Sequence, residues 1–152
     1  MKKILIFLIP FFIISCVTLQ KPPENPISIQ EIIASDKSKI DLFVLSNEWM
    51  VRNFVSSKTV IQYSDKEEGI IIGKAFFNTT YNYNPLKAWF TMKINVKDGK
   101  SRILINDIYG EDVSGKTYYF ENEEEDRYKI EGKVADFIKD YNDFIQKELT
   151  EW

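Results

Sequence analysis

The apolar and polar positions divide the chain into a leader, a spacer and a domain. Ile4 to Ile14 form an apolar run behind the basic pair Lys2 and Lys3, and Val17 to Pro26 shows no apolar period. Beyond Pro26 the apolar residues return at spacings that predict strands and helices. Ile27 to Ile33 reads as a first strand with imperfect alternation. Ser38 and Asp41 form a capping-box-like pair, with aspartate in place of glutamate. From there to about Val55, Leu42, Leu45 and Trp49 recur at helical spacing, and Phe43, Met50 and Phe54 widen the stripe. Thr59 to Tyr63 is rich in strand formers, Asp65 to Gly69 is a polar turn, and Ile70 to Phe77 is the next strand. Gly73 and Ala75 share one face of it, where small residues let a helix approach the sheet. Leu86 to Val96 alternates most cleanly, with Phe90, Met92, Ile94 and Val96 on one face and Thr91, Lys93 and Asn95 on the other. Asp98-Gly99 supplies a hairpin turn into the return strand Ser101 to Tyr109, and this hairpin accounts for the basic run Lys97 to Arg102. Gly110 to Tyr128 reads as polar and irregular, with Thr117 to Phe120 able to form a short strand. Gly132 to Trp152 closes the chain as a helix carrying Val134, Phe137, Ile138, Tyr141, Ile145, Leu149 and Trp152 in register. The predicted order is β-α-β-β-β-β-α. That order fits an α+β fold, an antiparallel sheet of about five strands with two helices on one face.

The leader determines the address. Eleven helical residues rise about 16 Å, well short of the ~30 Å hydrocarbon core, so Ile4 to Ile14 suits a signal peptide better than a membrane span. The run ends in Ile13-Ile14-Ser15-Cys16, which resembles a bacterial lipobox: branched apolar residues, a small residue, then cysteine. That resemblance implies cleavage after Ser15 and acylation of Cys16 by diacylglycerol and palmitate-like chains, which would tether the protein to a lipid bilayer. Residues 1–15 are then a discarded signal, 16–26 a lipidated cysteine with a tether rich in proline (Pro22, Pro23 and Pro26), and 27–152 one domain. Proline fixes φ and removes amide donors, so the tether is expected to be extended. Val17 after the cysteine is not the aspartate of an inner-membrane retention signal, which favours the outer membrane of a two-membrane cell envelope.

Composition narrows the chemistry. The 152 residues include no histidine and one cysteine, which excludes a Ser-His-Asp triad, a Cys-His pair, imidazole metal sites and an intrachain disulfide. No cofactor or metal is implied. The net charge of −3 becomes −5 once Lys2 and Lys3 leave with the signal, and an acidic chain is a poor partner for nucleic acid.

NEWMVRNF, TVIQYSDKEEGIIIGKAFF and MKINVKDGKSRILINDI together resemble an uncharacterised family of secreted bacterial domains with a TATA-binding-protein-like (TBP-like) fold. The matching features are Trp49, Gln62-Tyr63, the Asp65 to Gly69 turn, Gly73 and the Lys97 to Arg102 hairpin, within about residues 45 to 110. Ala75 departs from it, standing where a second glycine is expected. The resemblance implies architecture alone: the family has no assigned activity or catalytic residues to carry over, and its architecture does not bring DNA binding with it.

Several candidates remain outside that frame. Tyr81, Tyr83 and Trp89 offer two readings, a partly packed loop or an exposed aromatic patch suited to a protein, peptide or glycan. Glu121 to Asp126 (ENEEED) lacks the spaced oxygens and glycine of a calcium loop and reads as a solvated acidic loop. Ser114 and Lys116 flank Gly115 in a turn rather than forming a nucleophilic dyad. Two functions compete. One is a non-catalytic envelope lipoprotein that binds another protein or a small envelope component; the other is a carboxylate-dependent hydrolase of the envelope.

Overall fold

A computed structural model describes residues 23–54, 60–81 and 83–147. The expected signal peptide, Cys16, the part of the expected tether before Pro23, and Val55, Thr59, Leu149 and Trp152 lie outside the described residues. Eight regular elements follow in order: β1 Ile29–Ala34, α1 Lys39–Phe54, β2 Val60–Asp65, β3 Ile70–Tyr81, β4 Asn84–Lys97, β5 Lys100–Glu111, β6 Thr117–Tyr118 and α2 Glu124–Gln146. The sheet runs β1-β5-β4-β3-β2, every pair antiparallel, with the two-residue β6 joined to β5. The α+β order expected from the sequence is the observed one, with β6 added.

The sheet is buried on one face. Along β4, Leu86, Ala88, Phe90, Met92, Ile94 and Val96 are buried and the intervening residues are not. Ile71, Gly73 and Ala75 of β3 share that face, with Ile103, Ile105, Ile108 and Gly110 of β5. From α1 come Leu42, Leu45, Trp49, Met50 and Phe54, and from α2 Ile130, Val134, Ile138, Tyr141 and Ile145, completing one core. Trp49 is fully buried at its centre. Its ring meets Tyr141 edge-on at 5.0 Å and Phe54 at 5.6 Å, and its indole Nε1 donates to Asp140 Oδ2 at 2.7 Å.

One end of the sheet is locked by its turns. Ser38 accepts the Asp41 amide (3.2 Å) and its hydroxyl donates to the Asp41 carboxylate at 2.7 Å. The free first-turn amide of Lys39 donates to Asp98 Oδ1 at 2.7 Å, so the β4–β5 hairpin caps α1 from 59 residues away. Gly99 exchanges backbone bonds with the β1–α1 connection, its amide donating to Lys37 and its carbonyl accepting from Ser35. Gly69 (φ 69°) ends the β2–β3 turn against β4, and a Cβ there would lie 2.6 Å from the Val96 carbonyl oxygen.

Two expectations are corrected at the other end. The final helix begins at Glu124, eight residues before Gly132, and a 3₁₀ turn over Phe120–Asn122 precedes it. The acidic run is therefore not a loop: Glu124, Glu125 and Asp126 occupy the first helical turn, where carboxylates complement the positive end of the macrodipole. Glu121 is recruited too, accepting the Ile27 amide on Oε1 at 2.9 Å. The segment joining β5 to β6 is a turn built on Asp112. Its Oδ1 accepts the Ser114 hydroxyl (2.6 Å) and the amides of Ser114 and Lys116, and Oδ2 accepts the Tyr118 hydroxyl.

Two predictions follow from these contacts. Trp49→Ala should lower stability by roughly 3–5 kcal/mol, the usual cost of emptying a buried aromatic site, read from the urea midpoint; a shift below 1 kcal/mol would show that the seam can do without it. At Asp112 the Ser114 hydroxyl, then the Lys116 amide, hold the carboxyl down from its ordinary 3.8 to about 2. A depressed folded-state pKa means that the turn's contribution is complete above about pH 4 and is lost as pH falls through about 2. Carboxyl-carbon NMR should give that midpoint, and Ser114→Ala should raise it; an unmoved midpoint would assign the shift elsewhere.

Candidate functional site

The second face of the sheet carries the polar positions of the strand alternation, and among the described residues no helix covers it. Cross-strand register sets its side chains. Phe76 of β3 lies opposite Trp89 of β4, Trp89 lies opposite Tyr109 of β5, and Lys74 lies opposite Thr91. Phe76 and Trp89 rings sit 4.8 Å apart. Lys74 Nζ lies 5.1 Å from the Tyr109 ring centre and 5.7 Å from that of Trp89, and donates to the Tyr109 hydroxyl at 2.9 Å. Lys87 Nζ lies over Phe76 at 5.0 Å. The result is a ladder of cations and rings across three strands, with Phe76 and Trp89 in contact at its centre.

A β-bulge completes it. The β4–β5 register shifts between Trp89 and Thr91, so Asp107 and Ile108 together oppose Phe90. Asp107 takes φ 52°, a conformation that aspartate tolerates better than most side chains. Strict alternation after Ile105 would turn Tyr109 toward the helices. The extra residue instead turns Ile108 into the core and Tyr109 outward beside Trp89. The signal was present in the sequence as the spacing of three between Ile105 and Ile108 across Asn106-Asp107.

Toward the hairpin end, the same face forms a cleft of about 440 Å³ whose lining includes Ile32, Ile70, Asn95, Lys97, Arg102 and, from the β2–β3 turn, Glu68. Ile32 is 62% exposed and Tyr63 48%.

The three candidate aromatics do not form one surface, and Tyr81 follows the packed reading. Trp89 belongs to the uncovered face, whereas Tyr81 lies on the helix face of β3, packs against the core and meets the Tyr118 ring at 5.4 Å. Tyr83 stands fully exposed at the β3–β4 turn with φ 64°. Strand parity separates them: Tyr81 is two residues from Thr79 and four from Phe77 on the inward set, and Trp89 faces Phe76 on the outward set. The residues that do gather around Trp89 are Lys74, Phe76, Lys87 and Tyr109. Their outward positions were readable from β4 alternation carried across the register, a step that local aromatic density cannot supply.

The remaining candidates serve the scaffold. Ser114 and Lys116 are exposed, bound into the Asp112 turn, and Lys116 lies over the Tyr118 ring at 4.9 Å. Asp65 is held below the ordinary carboxylate range first by the Glu68 amide and then by the Tyr63 hydroxyl. Asp65 and Asp112 are thus ionised acceptors in turns, an arrangement that suits scaffolding rather than proton donation. Among the described residues, no group of three or more acidic or cysteine side chains could hold a metal ion.

The fold and this open face can be set beside known proteins. A crystal structure of a DUF4468 family protein from Bacteroides ovatus ATCC 8483 superposes with a TM-score of 0.67 at 12% identity, covering 87% of this chain and 93% of that one. A TBP-like protein from Parabacteroides distasonis ATCC 8503 gives a TM-score of 0.58 at 17% identity, covering 79% and 96%. At these identities the likeness is one of fold. No curated protein matches the chain. The family model for a domain of unknown function (DUF4468) with TBP-like fold matches residues 29–110, from the first residue of β1 to the penultimate residue of β5. With more than half its length under that model, the chain belongs to the DUF4468 family.

Proposed function

We propose that the protein is a bacterial envelope lipoprotein, anchored in the bilayer through acylated Cys16, whose domain is a non-catalytic binding module. The anchor rests on the order of basic start, short apolar run and Ser15-Cys16 junction. No helix of the described residues is long and apolar enough to cross a membrane. The outer membrane is the expected site in a host with two membranes.

The observation that carries the binding reading is the uncovered sheet face. Both helices bury the opposite face, so Trp89, Phe76 and Tyr109 are retained outside the core that stabilises the domain. Large aromatic rings on a rigid, paired strand surface provide contact area at little conformational cost. The occupant is another envelope protein or a small envelope component, and nucleic acid is not expected at an exported acidic chain.

Cys16→Ser should abolish lipid labelling and release the protein from the membrane fraction; a variant that still fractionates with membranes would sink the lipoprotein reading. A photoreactive residue placed at Thr91, on the open face, should cross-link a partner in intact envelopes. The same group at Lys133, on the exposed side of α2, should not. Equal capture from both positions would remove the sheet face from the proposal.

A further inference from the structure

The net charge conceals a polarised distribution. Helix α2 carries seven acidic and four basic side chains. The register places Lys74, Lys87, Lys93, Lys97, Lys100 and Arg102 on the uncovered face, against two strand carboxylates, Asp65 and Glu111, and Glu68 at the turn. Among the described residues the ion pairs are Lys37–Asp36, Arg52–Glu48 and Arg127–Glu131, so none of the six face cations is paired with a carboxylate. An acidic protein with a net basic face, six cations against these three carboxylates, presents a complementary surface to an anion.

Spacing indicates what kind of anion. Lys87, Lys93 and Lys97 share one side of β4, and ten residues of strand span roughly 34 Å, far more than one small ligand covers. Between these cations lie Trp89 and Thr91, with Ile72 and Leu104 opposite Lys93 on the neighbouring strands. The apolar groups at the centre are half-buried, which suits side chains laid across them better than insertion into a bilayer. We propose that the open face binds an acidic polypeptide segment, extended along β4, whose carboxylates meet the lysines and whose apolar side chains cover the Trp89–Tyr109 ladder. This inference rests on the sheet-face reading above and adds the chemistry of the partner.

The test uses the full chain purified in non-ionic detergent, with fluorescein-labelled poly-L-glutamate followed by anisotropy. Saturable binding is expected, weakening as salt screens the cations. The triple variant Lys87→Glu, Lys93→Glu, Arg102→Glu should weaken it by about tenfold or more, while Lys133→Glu with Lys139→Glu on α2 should change it by less than about twofold. The corresponding lysine-to-glutamine and arginine-to-glutamine changes give a milder set if charge reversal perturbs folding, and circular dichroism reports on both. Absence of binding, equal loss in the two sets, or tighter binding of dextran sulfate or phosphatidylglycerol vesicles would overturn the acidic-polypeptide assignment. So would concentration-dependent self-association lost in the triple variant, because the occupant would then be a second copy. Cys16→Ser should leave the anisotropy result unchanged, which separates this test from that of the anchor. Cross-linking at Thr91 to a partner that poly-L-glutamate fails to displace would retain the sheet-face reading and reject the acidic one.

Discussion

Everything in this domain depends on the contact of Trp49 with the rings around it. The indole joins α1 to α2 through Tyr141 and Asp140, and Phe54 continues the seam to Phe90 of the sheet at 5.7 Å and to Phe137 of α2 at 5.5 Å. Phe77 and Phe90 then close on Phe137 at 5.7 Å each. Such ring pairs contribute packing beyond their buried area and restrict how the helices can sit. With that seam on one side, the sheet needs nothing on the other. Its outer face is free to carry residues that do not contribute to the core, and that freedom is what a binding surface requires.

Much of this was legible along the chain, and the reasons differ by element. The alternation of β4 is strict because one face meets Trp49's neighbourhood and the other meets water, so burial and sequence parity coincide at every position from Leu86 to Val96. The α1 stripe and the Asp98-Gly99 hairpin were readable for the same local reason. The early start of α2 was not, because ENEEED has no apolar period. Carboxylates that look like a solvated loop in isolation become favourable when the helix behind them supplies a dipole. Asp98 as a cap for α1 was out of reach for any local rule, since the donor and acceptor lie 59 residues apart.

The aromatic cluster shows a subtler limit. Tyr81, Tyr83 and Trp89 are neighbours in sequence, and proximity in sequence suggested proximity in space. A hairpin brings its two strands together but preserves parity, so residues of opposite parity relative to the register fall on opposite faces. Tyr81 pairs with Asn84 and looks toward Tyr118, whereas Trp89 pairs with Phe76 and looks outward. Sequence density located the β3–β4 hairpin but not the faces on which its aromatics lie. The sheet register selected the companions of Trp89.

The bulge at Asp107 joins these threads. A regular β5 could satisfy the core with alternate residues, but it could not present both Ile108 inward and Tyr109 outward after burying Ile103 and Ile105. The extra residue achieves both at the cost of a left-handed backbone at Asp107, φ 52°. Gly110 follows on the inward side, where a Cβ would lie 2.9 Å from Leu86 Cδ1 and from Phe120 Cζ, so the 3₁₀ turn leading into α2 packs directly on the strand. One backbone irregularity therefore serves two purposes: it seats the segment before the second helix, and it turns Tyr109 outward to hold Lys74. The core on one face and the cationic ladder on the other are consequences of the same shift in register, and the proposed binding surface is built into the fold rather than added to it.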